Sequence, residues 1–235
     1  MIKNENIKKY YQEAVLESGG DFDNFLKQVG KTFLGNTINK DIFYEIVESI
    51  SNALNIDRND QVIDLGCANG LITKSIANNS EHVFAFDLSD DLIQVAKKFH
   101  KKENITYKVK NVLDVNFGKL NVKKIYMYEV LQHFEYRMLR ELLMKLTTEM
   151  DSFVLFIGSV PDKDKILNFY DTDKRKSFLF NEVLENKKDH LGNWWHKDHL
   201  LFLGRELGLN TSIVSQNKDL HTAHYRFDVV LEKIK

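Results

Sequence analysis

The stretch Val62-Ile63-Asp64-Leu65-Gly66-Cys67-Ala68-Asn69-Gly70 decides the fold. Gln61 to Leu65 reads as a buried strand with an acidic residue near its end. Gly66 and Gly70 then let the backbone turn tightly and let a ligand approach without meeting Cβ atoms. A helix is predicted from Leu71 to Ala77, so the bend faces the free N–H groups of a helix start. The spacing is neither G-x-G-x-x-G nor G-x-x-x-x-G-K-[ST], which excludes the dinucleotide fingerprint and the P-loop.

Outward from this bend, strand-like and helix-like stretches alternate. Upstream, Asp41 is expected to N-cap a helix carrying Ile42, Ile46, Val47, Ile50 and Leu54. Downstream, His82 to Phe86 reads as the next strand, and Ser89 caps a helix running to His100. Ile105 to Val109 and Lys124 to Tyr128 are further strands. Glu135 to Met150 is a helix with Met138, Leu139, Leu142, Leu143 and Leu146 on one side. Ser152 to Gly158 is a strand, and Pro161 marks a turn. Helices between short apolar strands are crossover connections, so the predicted class is α/β, a doubly wound, mostly parallel sheet with helices on both faces. Thr211 to Ser215 and Tyr225 to Glu232 have no helix between them and are expected to pair antiparallel. Residues 1–40 and 162–199 break the alternation. They are expected as an N-terminal helical cap and a substrate-side insertion on a core of residues 41–235.

Composition narrows the function. The chain has 235 residues, 43% of them hydrophobic, enough for a core without disulfides. Its 33 Lys+Arg against 34 Asp+Glu give a net charge of −1, which argues against a protein that coats nucleic acid. One cysteine, Cys67, excludes a disulfide framework and a four-cysteine zinc site, and fits a reducing cytoplasm. No apolar run reaches the ~18 residues of a membrane span, and the first residues lack the apolar core of a signal peptide. The expectations are therefore a cytoplasmic location, no membrane or nucleic-acid partner, and a monomer or homodimer.

A second element, Phe84-Ala85-Phe86-Asp87-Leu88-Ser89, ends the following strand in a carboxylate 17 residues past Gly70. In a doubly wound sheet, such a carboxylate sits beside the first turn and can accept both hydroxyls of a ribose.

With these residues the chain resembles the class I S-adenosylmethionine-dependent methyltransferases, which have a Rossmann-like sheet. The family's first motif is an acidic residue followed by Gly-x-Gly-x-Gly. Asp64, Gly66 and Gly70 match it, and Ala68 stands at the middle glycine. Asp87, with Leu88 after it, matches the acidic position after the second strand. Asn111, followed by Val112, stands where the family often has Asp on the adenine side. Tyr128-Glu129-Val130-Leu131-Gln132-His133-Phe134 is similar to the motif after the fourth strand, and the final strand fits the family's reversed last strand. Lys27-Gln28-Val29-Gly30-Lys31-Thr32 is similar to a segment that closes over the methionine end of the cofactor in some small-molecule members. The resemblance implies S-adenosyl-L-methionine as cofactor. It places Gln28, Thr32, Asp64, Gly66, Cys67, Ala68, Gly70, Asp87, Leu88, Asn111, Val112 and Glu129 around it.

Methyl transfer needs an acceptor lone pair in line with the S–CH3 bond, about 3 Å from the carbon. A hydroxyl acceptor must also lose a proton. His133, after the fourth strand, is the candidate base, and Glu129 could orient the acceptor. Tyr10, Tyr11, Arg175, Trp194 and His196 are candidates for the acceptor pocket. His196 and His199 would share a helical face but lack a third ligand, so no metal site is expected. His221 and His224 are expected on a strand with their side chains on opposite faces. The resulting expectation is an enzyme that methylates a small polar acceptor at a hydroxyl or phosphate-type oxygen. The resemblance suggests a sugar or nucleotide-linked precursor of surface polysaccharide. The alternatives are a nucleic-acid or protein acceptor, and a non-catalytic cofactor-binding subunit.

Overall fold

The computed structural model describes residues 20–33, 36–186 and 191–234. Two compact units divide the chain, residues 1–127 and 128–235.

In the first unit, helix α1 (Phe22–Gln28) starts at Asp21, whose carboxylate accepts a bond from Asn24 N at 2.9 Å. A hairpin of two short strands follows, β1 (Thr32–Phe33) and β2 (Asn36–Thr37). Helix α2 (Lys40–Leu54) buries Phe43, Ile46, Ile50 and Leu54, a stripe at helical spacing. Its cap is Asn39, whose Oδ1 accepts from Ile42 N at 2.8 Å. The expected cap, Asp41, lies one position inside the helix, where its charge meets the positive end of the helix dipole.

Strands β3 (Gln61–Leu65), β4 (His82–Asp87), β5 (Ile105–Val109) and β6 (Lys124–Tyr128) are all parallel where they pair, in the order β5-β4-β3-β6. Helix α3 (Leu71–Ile76) connects β3 to β4, and helix α4 (Asp90–Phe99) connects β4 to β5. Ser89 caps α4 as predicted, its Oγ accepting from Leu92 N at 3.3 Å. Asp90 and Asp91 open that helix and Lys97 and Lys98 close it, complementing its dipole. Val62, Ile63 and Leu65 are fully buried, as expected for a central parallel strand.

In the second unit, helix α5 (Tyr136–Glu149) buries Leu139, Leu142, Leu143 and Leu146. Strand β7 (Phe153–Pro161) pairs antiparallel with β9 (Arg226–Lys233), and β9 pairs antiparallel with β8 (Asn210–Ser215). The last strand is thus the reversed one, as expected. Between β7 and β8 run short helices α6 (Ile166–Phe169), α7 (Asp173–Phe178) and α8 (Leu184–Asn186), a π turn over Leu179–Val183, and helix α9 (Lys197–Glu206).

Two expectations are corrected in this unit. Pro161 is the last residue of β7, opposite Arg226, and not a turn. Its lack of an N–H is harmless there, and its carbonyl accepts from Trp195 N at 2.9 Å. His221 and His224 lie in turns, because Tyr225 N and Arg226 N both bond back to Thr222 O, and the strand begins only at Arg226.

Strand β7 also carries a bulge between Ile157 and Val160. A Cβ on Gly158 would lie 2.3 Å from the Tyr128 ring, so the bulge needs glycine there. Ser159 follows with φ 61°, a left-handed conformation that side chains rarely adopt.

Candidate functional site

The order of the four parallel strands reverses at β3, which has β4 on one side and β6 on the other. Ligands of open α/β sheets bind at the carboxyl end of such a switch point. The bend of residues 66–70 leaves β3 there. Gly66, Ala68 and Gly70 take φ of 86°, 47° and 78°, so every second residue is left-handed. The alternation explains the Gly-x-Gly-x-Gly pattern. Ala68 adopts the glycine conformation with a methyl group attached. Gly70 cannot be replaced, since a Cβ would sit 2.6 Å from the Tyr107 hydroxyl and 2.9 Å from the Ala96 methyl.

Asp87, at the end of β4, reaches across to the bend. Its Oδ2 accepts from Ala68 N at 2.9 Å and its Oδ1 from Ser89 N at 2.8 Å. Burial raises its pKa, and these backbone donors work against that rise. Phe86 O meanwhile accepts from Gly66 N and Cys67 N at 2.7 and 3.0 Å. Leu88, next to Asp87, is 49% exposed and presents an apolar face at this end of the sheet. Asn111 stands after β5, and its Oδ1 accepts from Leu113 N at 3.0 Å to cap a short 3-10 turn in which Val112 is buried.

Asp64 lies beneath the bend and is 2% exposed, so it acts on the loop's foundation, away from solvent. Its Oδ2 accepts from Thr73 Oγ1 and Tyr126 Oη, both at 2.6 Å. Burial pushes its pKa up to about 7 against these two bonds. Cys67 is also buried, packed with Ala85, Ile93, Ala96 and Tyr107, and burial pushes its thiol up.

Asn69 is the anchor that the sequence reading missed. It is 1% exposed, and its Nδ2 donates to Phe25 O at 2.8 Å and to Gln28 Oε1 at 2.9 Å. Its own carbonyl meets His100 Nδ1 at 2.7 Å. Gln28 thus touches the bend through Asn69, while Thr32 is exposed on the hairpin. The signal was available, in that the one polar side chain inside the glycine bend is an amide.

In the second unit, Glu129 has φ 57°, and its N donates to Gly158 O at 3.0 Å. Its Oε1 accepts from Ser159 Oγ at 3.4 Å. Burial and the Arg226 charge hold His133 down at about 4, against the opposing pull of Glu129. Trp194 is buried with Tyr170, Leu179 and Tyr225. Phe169 links it to Arg175, with its ring 6.0 Å from Trp194 and 4.8 Å from the Arg175 Cζ. Arg175 also pairs with Asp171 at 2.9 Å. His196 is exposed, N-caps α9 and meets Asp164 at 3.3 Å, while His199 stacks on Tyr136 at 4.6 Å. Tyr10 and Tyr11 lie outside the described residues. Among the described residues, no three His, Cys, Asp or Glu side chains are grouped to hold a metal ion, and no helix is long and apolar enough to cross a membrane.

Two predictions follow from the bend. Ala68→Gly removes a left-handed alanine, worth about 1–2 kcal/mol, and adds about 0.5–1 kcal/mol of chain entropy cost. Urea unfolding should show unchanged or higher stability, by up to ~1 kcal/mol, where Ala→Gly ordinarily destabilises. The folded state binds the Asp64 proton more tightly than the unfolded chain, so its contribution is full below about pH 4 and is lost as pH rises through about 7. Asp64→Asn should flatten the stability–pH curve over that window, by an amount on the order of a few kcal/mol. Parallel curves for the two proteins would contradict this.

Residues 62–148 match the family model described as a methyltransferase domain. A ribosomal RNA small subunit methyltransferase A of Fusobacterium nucleatum is 33% identical over 94 residues, 40% of this chain and 33% of that protein. The chain thus spans about a third of that curated relative's length. Juvenile hormone acid O-methyltransferase of Bombyx mori is 28% identical over 129 residues, 51% of this chain and 46% of that protein. Among solved structures, magnesium protoporphyrin IX methyltransferase of Synechocystis, with bound SAH, superposes with a TM-score of 0.61 at 14% identity, covering 97% and 94% of the two chains. Geranyl diphosphate C-methyltransferase of Streptomyces coelicolor gives 0.64 at 12% identity, covering 100% and 99%. Residues 62–148 thus match a methyltransferase domain, and the chain shares the Rossmann-like fold of these solved methyltransferases.

Proposed function

We propose that the chain is an S-adenosylmethionine-dependent methyltransferase that methylates a small-molecule acceptor at oxygen. The observation that carries this reading is the bend at 66–70 with the Asp87 carboxylate held across it. The residues fit an adenosyl group. A carboxylate oxygen can accept more than one bond, so Asp87 keeps capacity for a ribose hydroxyl beside the backbone donors of Ala68, Ser89 and Leu88. Leu88, Asn111 and Val112 would flank the adenine. The left-handed bend would let backbone approach the ligand, and Gln28 and Thr32 would serve the methionine end. When bound, the cofactor supplies an electrophilic methyl group on a sulfonium. Glu129 would answer its positive charge.

His133, with its pKa near 4, is a neutral imidazole at physiological pH and a weak base. Its proposed role is to accept a hydrogen bond from the acceptor and orient it. Trp194, Arg175 and His196, with Tyr10 and Tyr11, are proposed for the acceptor side, and residues 1–40 and 162–199 as the parts that shape it. We place the enzyme in the cytoplasm, where its one buried, unpaired Cys67 needs no oxidising environment.

A second reading is ribosomal RNA methylation, favoured by the curated relatives. The net charge of −1 weighs against it, since phosphate-driven binding needs a basic field. The insect relative, named for an acid acceptor, supports a small molecule. None of these comparisons names a polysaccharide precursor, and the proposal does not carry one.

Calorimetry should show binding of S-adenosylmethionine and S-adenosylhomocysteine. Asp87→Ala should weaken it by about ten- to a hundredfold, the loss of charged hydrogen bonds worth ~1.5–3 kcal/mol. Binding of neither ligand rejects the proposal, and salt-sensitive RNA binding shifts it to the second reading. His133→Ala should leave cofactor affinity unchanged and lower turnover. The wild-type rate should show no inflection from His133 between about pH 6 and 8, and one that disappears in the variant would restore it as the base.

A further inference from the structure

The final strand opens with Arg226, which is 4% exposed. One corner of its guanidinium is fixed. Nη1 donates to Ser159 O, at the bulge of β7, and to Gln132 Oε1 at 2.8 Å. The opposite edge holds an unmatched donor. Nε is sealed from solvent and has no hydrogen-bond partner, and the bonds to Ser159 and Gln132 both leave from Nη1. No carboxylate of the described residues comes within ion-pair distance of the group. Asp228, two residues on, feels the Arg226 charge without bonding to it, its Oδ1 accepting instead from Ser159 N at 2.7 Å and Gln216 Nε2 at 3.0 Å.

A buried guanidinium bonded only to neutral oxygens bears a large desolvation cost, which Asp228, beyond ion-pair distance, offsets only in part. The surroundings are built to hold it in place. The Cζ lies 5.2 Å from the Tyr225 ring, and the bulge residue that accepts from Nη1 is itself held left-handed. Such costs persist where a ligand completes the arrangement. The side edge of the fork presents two parallel N–H groups, the spacing of a carboxylate's two oxygens. Glu129 and Asp228 both act electrostatically on Tyr128 in the same region, which favours a monoanion over a doubly charged phosphate.

We propose that the Nε–Nη2 edge of Arg226 binds a carboxylate of the methyl acceptor, so that the acceptor is a small carboxylic acid. The word acceptor rests on the function proposed above, whereas the carboxylate site rests on Arg226 alone. If the bound carboxylate is itself methylated, an O–CH3 bond forms as the S–CH3 bond breaks and its electron pair stays on sulfur. The carboxylate's negative charge and the sulfonium's positive charge cancel, and no proton moves. Such a reaction needs no strong base, in keeping with the weak basicity of His133.

The test is NMR of the full chain with 15N-labelled arginine, titrated with benzoate, benzamide and inorganic phosphate. The Arg226 Nε–H signal, identified by its loss in Arg226→Lys, should shift saturably with benzoate, weakly with phosphate and not with benzamide. Arg226→Lys should weaken benzoate binding by about tenfold or more. Should that variant fail to fold, Gln132→Glu places a carboxylate on Nη1, and both a moved Nε–H signal and a comparable loss of benzoate affinity are expected. No benzoate response, or an equal response to benzamide, overturns the proposal. S-adenosylhomocysteine is titrated by calorimetry into the same sample. Its binding without a benzoate response removes only the carboxylate site, and a benzoate response without its binding removes only the cofactor reading.

Discussion

The bond from Ala68 N–H to the Asp87 carboxylate is the constraint on which the shape of the glycine bend depends. Three left-handed residues within five make a bend with few local bonds of its own. Left alone, it would sample many shapes, since glycine is the freest residue in the chain. Asp87 ties its middle to the end of β4, and Phe86 O ties its first two N–H groups to the same strand. Asn69 ties its far side to α1. The bend is therefore tied at its start, middle and far side by the protein itself, and a site held in this way spends less binding energy on ordering.

Two aspartates near the bend show how environment divides one side chain into two roles. Asp64 is sealed under the loop, receives two hydroxyls and is pushed toward the neutral form. It joins β3, α3 and β6 into one base. Asp87 is half-buried; burial raises its pKa too, but the backbone N–H groups it receives work against that rise. Only the second is open to solvent. In the second unit the left-handed Glu129 and Ser159 lie next to a buried arginine, a concentration of strain and charge that no other described part of that unit matches.

Much of this was legible in the chain. The strands from Gln61 to Tyr128 and the helices between them followed from apolar runs and helical spacing, because parallel strands are buried on both faces. The candidate loop was legible for a different reason, in that glycine at 66 and 70 marks backbone that side chains would obstruct. Boundaries were less legible. Asn39 and Asp41 are both good caps, and only the path of the chain before the helix chose between them. Pro161 reads as a turn, yet it fits a strand's last position. His221 and His224 look like strand residues until the turn bonds to Thr222 are seen.

By itself the sequence determined the alternating α/β order, the bend and the acidic residue that follows it, since these rest on spacing along one chain. Tertiary structure alone decided which polar groups lose water. Asn69, buried between α1 and His100, and Arg226, buried with its Nε unmatched, carry ordinary letters in the sequence. Their significance comes from desolvation, which depends on what distant segments fold over them, and local patterns hold no record of that.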